Sequence, residues 1–449
     1  MNTPDFVATT NACKLCRPLG AAIAFRGIEG CVPFLHGSQG CATYMRRYII
    51  SHFNEPIDIA SSSLGEKNAV YGGGPNLKLG LKNVTAKYHP QLIGVATTCL
   101  TETIGDDVPM LLAEYRRETS PAEMPLLVHV ATPSYAGSHM EGFHGAVRAV
   151  IEQLAEPVPA NGTINLLGGF VSAADLRYLH RLCLDFGLPA TLLPDYGDTL
   201  DGPALDDYPL IPRGGTPLAA IRAMGGAKAT VELGATLPEK SGGTVLRDSH
   251  GVPLHRLGLP VGIRASDALM ELFAELSGRP LPEKLAASRG RLVDSLVDGH
   301  KYLFGRKALI YGEEDLVVGL TSFLAEIGIA PALCASGGKS GRLAEAIAAA
   351  IGDLPCPMPE VREDVDFQDI ETLAEELGCQ LVVGHSKGYA LARRLHIPLV
   401  RVGFPIHDRL GGQRILHLGY EGAQGLFDTI VNTLIEWSQD SSPIGYSYM

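Results

Sequence analysis

Long hydrophobic runs are missing from this chain. Across its 449 residues no uninterrupted apolar stretch reaches the roughly 18–20 residues a spanning helix needs, which excludes a helical membrane protein. Positive charge is scarce too. Against 49 Asp and Glu stand 37 Lys and Arg, and the net charge of −12 gives neither nucleic acid nor an anionic membrane an electrostatic reason to bind. The segment Met1–Thr10 holds Asp5, lacks a basic stretch and leads into no short apolar core, so it is not read as a signal peptide and the chain is placed in the cytoplasm. In that reducing compartment the nine cysteines, an odd number, serve metals, catalysis or burial rather than structural disulfides. Nucleotide-binding patterns are absent as well. Gly337-Gly338-Lys339-Ser340 supplies only the end of a P-loop, and Gly72-Gly73-Gly74 follows no convincing strand and reads as a flexible turn.

What is present is a repeating alternation. From about residue 90, short apolar runs rich in β-formers are each followed by a helical stretch and punctuated by Gly or Pro, the pattern of βα units and parallel sheets. Expected strands are Gln91–Thr98, Pro125–Ala131, Thr163–Gly168, Pro189–Pro194, Thr230–Leu233, Ala308–Tyr311, Pro331–Ser336, Gln380–Gly384 and Pro398–Val402. Expected helices include Ala173–Phe186, Ser266–Leu276, Glu283–Leu303, Glu314–Ile327, Gly341–Ile351, Asp366–Leu377 and Gly425–Trp437. The fold class is therefore α/β, with three doubly wound Rossmann-like domains: 1–157, 158–305 and 306–449. Gly234–Gly258 is Gly-rich and non-periodic and reads as a long surface loop. The first 90 residues show few strands and many turns, and look built around something other than a hydrophobic core.

Four positions stand out chemically. Cys13-Lys14-Leu15-Cys16 is a C-x-x-C pair with no second pair and no H-x₃₋₅-H at zinc spacing, so alone it is weak. His36-Gly37-Ser38-Gln39-Gly40-Cys41 puts a thiol at the start of a helix behind two glycines. That suits a cluster cradle, and equally a tight turn with a buried cysteine. Cys99 closes an apolar run, at the carboxyl end of an expected parallel strand, and Ser134 follows the next run and reaches the same edge, where ligands of open α/β sheets collect.

Taken together, Cys16, Cys41, Cys99 and Ser134, at intervals of 25, 58 and 35 residues, resemble the beta subunit family of nitrogenase component 1. The resemblance extends to Arg46–Pro56, Thr97–Asp107, Thr132–His139, Gly403–Asp408 and Gly419–Asn432, nearly the whole chain. It implies pairing with a homologous alpha subunit in an α₂β₂ heterotetramer, and a P-cluster of the 8Fe-7S type held between the two chains. Cys16, Cys41 and Cys99 would be its thiolate ligands, with Ser134 a hydroxyl ligand in the oxidised state; Cys13 takes the place of Cys16 only if the register slips. Thiolates suit iron–sulfur clusters, and a hard oxygen suits a more oxidised iron.

The resemblance further implies an ATP-dependent iron protein as electron donor and an iron–sulfur active-site cofactor in the alpha partner. The CKLCRPLGAA opening and the CATYMRRYIISHF segment look more similar to the beta-like chains of methylthio-alkane reductase and of the scaffold that assembles the iron–molybdenum cofactor. The expected function is thus a reductase cleaving C–S bonds, with the scaffold or a true nitrogenase as alternatives. Cys31, Cys183, Cys334, Cys356 and Cys379 match no ligand position and read as small buried hydrophobes. His36, His52 and His139 read as hydrogen-bonded supports.

Overall fold

The computed structural model describes residues 12–120 and 124–445; Met1–Thr10, on which the signal-peptide reading rests, lies outside them. Among the described residues thirteen strands form three sheets, and every strand pair is parallel. The first sheet holds β1 (Cys31–His36), β2 (Ala60–Ser61), β3 (Leu92–Thr97) and β4 (Leu126–Val130) in the order β2-β1-β3-β4. The second holds β5 (Ile164–Leu167), β6 (Ala190–Leu192), β7 (Ala229–Leu233) and β8 (Leu254–Leu257) in the order β6-β5-β7-β8. The third, β9 (Lys307–Tyr311), β10 (Ala330–Ala335), β11 (Glu360–Arg362), β12 (Leu381–Gly384) and β13 (Leu399–Arg401), runs β11-β10-β9-β12-β13. In each sheet the chain moves first to one side of the founding strand and then to the other, as a doubly wound fold does.

Alternation along the strands explains why these sheets bury both faces. In the first sheet Leu35, Leu92, Ala96 and Val128 enter one apolar cluster, while Val32, Phe34, Ile93, Val95 and Leu127 enter another. Covered on both sides, such strands read as continuous apolar runs. Among the described residues no helix is long and apolar enough to cross a membrane.

The amino-terminal region departs from expectation. It is built on a hydrophobic core, and β1 is a fully buried inner strand that Pro33 disguises, because proline cannot donate to a ladder. Only Ala60–Ser61 pair with β1 on its far side, opposite Phe34 and Leu35, so at the level of Pro33 the strand has one neighbour and the missing N–H costs little. Gly234–Gly258 is likewise no loop. It contains the helix Gly242–His250, capped by Ser241, and β8. The buried carboxylate of Glu232 accepts from Ser241 Oγ (2.7 Å), Gly243 N–H (2.9 Å) and Arg256 Nε (2.9 Å), an anchor no local periodicity announces.

Three histidines, His52 and His385 buried and His129 half-buried, stay neutral: desolvation pulls His52 and His129 down to about 4 and His385 to about 3. The unfolded chain takes up protons at these positions near pH 6.5 and the folded chain does not, so unfolding free energy falls as pH drops from about 6.5 toward 4. Replacing His385, which packs edge-on against Tyr311 and Phe367, by Phe removes one of these protons and flattens the slope. Urea denaturation at a series of pH values between 7 and 4.5 measures it.

Candidate metal centre at a sheet edge

The carboxyl ends of β1 and β3 are adjacent, and between them the strand order reverses, which is where open α/β sheets leave a crevice. The chain leaves β1 through Gly37 and Ser38 into the helix Gln39–Phe53, so Cys41 falls in its first turn. It leaves β3 through Thr98 into the short helix Cys99–Ile104, of which Cys99 is the first residue. Both thiols therefore sit at helix amino ends. The two exits touch. A Cβ on Gly37 would lie 2.2 Å from Thr98 Oγ1, and Thr98 N–H and Thr101 Oγ1 both donate to the His36 carbonyl (3.1 and 2.9 Å).

Ser134 opens the single turn Ser134–Ala136 after β4, whose end is tied to β3 by Thr132 N–H to Thr97 Oγ1 (2.7 Å) and Thr132 Oγ1 to the Thr97 carbonyl (2.6 Å). Cys16 arrives from elsewhere, as the residue before the helix Arg17–Arg26. The structure brings all four together. Ser134 N–H donates to Cys99 Sγ (3.3 Å), Arg17 N–H donates to Ser134 Oγ (3.2 Å), and Ser38 Oγ donates to Cys41 Sγ (3.4 Å).

The electrostatics match a shared site. Burial raises the Cys16 thiol, and the neighbouring Cys99 and Cys41 raise it further, while the Ser134 hydroxyl and Lys387 pull it down. Three thiolates that repel one another in this way are stabilised when a cationic metal group lies between them. Among the described residues no three His, Cys, Asp or Glu side chains converge on a single metal ion, so the thiols line an edge rather than a point. The chemistry of the donor set, three soft thiols free of disulfide and one hydroxyl, fits an iron–sulfur cluster. Cys16 and Cys99 are exposed and Cys41 is half-buried.

The other cysteines differ. Burial pushes Cys13, Cys31, Cys183 and Cys334 up to about 12 and Cys379 up to about 11, as inert thiols. Cys13 is buried in an apolar cluster with Tyr311 and Phe367, its backbone against Gly337. Cys356 corrects the uniform reading as buried, being only half-buried near the surface.

The histidines are supports. His36 Nδ1 bonds Ser62 Oγ (2.9 Å) and Nε2 bonds Asp106 (3.0 Å), and Asp106 also accepts from Gly73 N–H (3.1 Å), so the triple glycine is a fixed joint between motifs rather than a loose turn. His52 Nδ1 accepts from Ile406 N–H (2.9 Å), tying the Cys41 helix to Gly403–Asp408. His139 accepts from Leu15 N–H through Nδ1 (3.4 Å) and bonds the buried Glu313 through Nε2 (3.0 Å). Burial pushes the Glu313 carboxyl up, but the hydrogen bond and charge of His139 outweigh this and hold it below its ordinary value. At Gly337–Gly341 the backbone and hydroxyl donors serve carboxylates: Ser340 N–H bonds Glu314 (3.1 Å), and Ser340 Oγ and Gly341 N–H bond Glu363 (3.1 and 3.0 Å).

Two contributors escape sequence reading, Glu313 and Lys387. Both follow strands of the third sheet, β9 and β12, so the strand-end rule that singles out Cys99 and Ser134 applies to them equally. Lys387 Nζ donates to the Ala12 carbonyl (3.0 Å), lies 5.9 Å from the Tyr48 ring centre and is the cation whose charge lowers Cys16.

Comparison with known proteins is consistent along the whole chain. Residues 16–435 match the family model described as nitrogenase component 1 type oxidoreductase. The chain is 35% identical to the nitrogenase molybdenum-iron protein beta chain of Clostridium pasteurianum, covering 95% of this chain and 93% of that one. It is 34% identical to the nitrogenase vanadium-iron protein beta chain of Trichormus variabilis, over 97% and 96%. A chain of the solved structure "Nitrogenase Cp1 at pH 6.5" superposes with a TM-score of 0.95 at 33% identity, covering 100% of this chain and 98% of that chain.

Proposed function

Since the chain belongs to the nitrogenase component 1 type oxidoreductases, and within them to the beta chains, we propose that it is the beta chain of a nitrogenase-like reductase whose Cys16, Cys41 and Cys99 hold an iron–sulfur P-cluster of the 8Fe-7S type shared with a homologous alpha chain. The observation that carries this reading is the meeting of these three thiols with Ser134 at one sheet edge, joined by the Ser134 N–H to Cys99 and Arg17 N–H to Ser134 bonds. A cluster there supplies one-electron storage and transfer. The chain's own residues hold it: the first turns of two helices present Cys41 and Cys99, Lys387 offsets negative charge near Cys16, and the Ser134 hydroxyl is positioned to serve as a further oxygen donor. The exposed apolar residues Tyr44, Tyr71 and Tyr135, on the segments that carry or adjoin these positions, suit contact with the alpha chain of an α₂β₂ assembly.

In this reading an iron protein hydrolyses ATP and delivers electrons, and the active-site cofactor resides in the alpha chain. The three domains are 1–157, 158–305 and 306–449, and the protein works in the cytoplasm. For substrate we propose methylthio-alkanes, cleaved at C–S. The relatives at 35% and 34% identity are molybdenum-type and vanadium-type nitrogenase beta chains, so the C–S substrate rests on the CKLCRPLGAA opening and the CATYMRRYIISHF segment.

The test is anaerobic co-purification with the alpha partner, then turnover with iron protein, ATP and dithionite. Ethyl methyl sulfide should give methanethiol with ethylene or ethane. Ammonia from dinitrogen would instead make it a nitrogenase, and release of a cofactor that activates an apo-nitrogenase, with no turnover, would make it the scaffold. Ser134→Ala should leave the iron content and the reduced cluster unchanged while altering the oxidised state, read as a shifted midpoint potential and a changed electron paramagnetic resonance signal.

A further inference from the structure

Lys387 carries a half-buried positive charge that, among the described residues, no carboxylate balances. It lies in the single turn Ser386–Gly388 after β12. Its ammonium is held by neutral groups only: Nζ donates to the Ala12 carbonyl (3.0 Å) and stands 5.9 Å from the centre of the Tyr48 ring. Lys14 and Lys339, by contrast, both pair with Asp364 (2.7 and 3.2 Å).

The two neutral partners belong to the segments that bring in two of the thiols. Ala12 is four residues before Cys16. Tyr48 is seven residues after Cys41 in the helix Gln39–Phe53, two turns along and on the same face. The lysine from the third sheet thus reaches between the Cys16 segment and the Cys41 helix. Burial pulls its ammonium down, and thiolate at Cys13 or Cys16 pulls it back. Cys13, pushed up to about 12 by burial, carries no charge at neutral pH, so Cys16 is left as the counter-charge. The influence is mutual, since burial raises the Cys16 thiol and Lys387 opposes it.

A fixed positive charge beside a redox group favours the state that holds one more electron, and salt screens a half-buried charge far less than an exposed one. Resting on the reading of Cys16 as a cluster ligand, we propose that Lys387 sets the reduction potential of the iron–sulfur cluster, holding it above the value the thiols and Ser134 alone would give. Electron uptake from a donor is then easier, and onward transfer to the partner chain is correspondingly less downhill.

The test is a redox titration of the anaerobically purified protein with its partner chain, followed by electron paramagnetic resonance, with iron per chain measured alongside. Lys387→Gln keeps a donor for the Ala12 carbonyl and removes the charge. At the wild-type midpoint its ratio of reduced to oxidised cluster should fall at least threefold, about half of the 59 mV that a one-electron couple shows per tenfold change. Lys387→Met should fall as far and decides the matter should the glutamine variant not fold. Lys387→Arg, which keeps the charge, and Lys339→Met, which removes an exposed and paired lysine, should both hold the wild-type ratio. Raising the salt from about 0.1 M to about 1 M should leave the Gln shift in place. Normal iron with an unshifted midpoint in the neutral variants, or an arginine variant shifted as far as they are, would overturn the role of Lys387. A wild-type protein without cluster iron would instead overturn the ligand reading on which it rests.

Discussion

Alanine in place of Gly142 is expected to lower the stability of the amino-terminal region by about 3 kcal/mol, the upper end for an overpacked core, and to strip iron from the protein. The helix Arg17–Arg26 crosses the helix His139–Leu154 at two glycines that face each other's backbone. A Cβ on Gly142 would lie 1.9 Å from the Arg17 carbonyl oxygen, and one on Gly20 would lie 1.8 Å from that of His139. Backbone cannot swing aside as a side chain does, so the helices must separate. Cys16 stands immediately before the first helix and Ser134 five residues before the start of the second, so this crossing sets the distance between them. Gly145→Ala, on the same helix, is the control: its Cβ meets only Val130 Cγ2 at 3.6 Å, and the better helix former should stabilise by about 0.5–1 kcal/mol. Denaturation midpoints and iron per chain measure both. A Gly142→Ala protein with normal iron and stability would show that the crossing does not govern the site.

Cys99→Ala should remove the cluster iron altogether and cut electron transfer by more than the roughly 10–100-fold typical of changes one shell further out. Cys99 is the thiol at the centre of the site, since Ser134 N–H donates to it and its charge acts on Cys16. Cys183→Ala is the matching control: that thiol is buried in the apolar interior of its helix, raised by burial alone, and its loss should leave the iron untouched at a modest cost in stability. Retention of full iron and activity by Cys99→Ala would remove it from the ligand set.

Much of this was legible where local signals coincide with tertiary demands. The helices Ala173–Phe186 and Glu283–Leu303 carry end markers, Ser172 with Asp175 and the left-handed Gly187 in the first and Pro282 in the second, and the reading matches both ends. Strands covered on both faces were legible as apolar runs. What stayed hidden depends on partners remote in sequence. β1 contains a proline tolerated only because β2 is too short to reach it, and the helix after Ser241 rests on the buried Glu232. At the site, strand ends revealed Cys99 and Ser134, but neither the glycine crossing nor the supports Glu313 and Lys387 could be read without knowing which sheets lie together.

The order of these residues along the chain bears on biosynthesis. Cys16, Cys41, Cys99 and Ser134 all fall in the first 134 of 449 residues, while Glu313 and Lys387 come from the third sheet. During translation the thiols of the nascent chain leave the ribosome first and wait longest. They meet oxidants and stray metal before His139 has gained its carboxylate and before the lysine that tempers Cys16 has been made. The four site residues are thus in place in the nascent chain well before the third sheet that supports them, and anaerobic expression covers that interval as well as the finished fold.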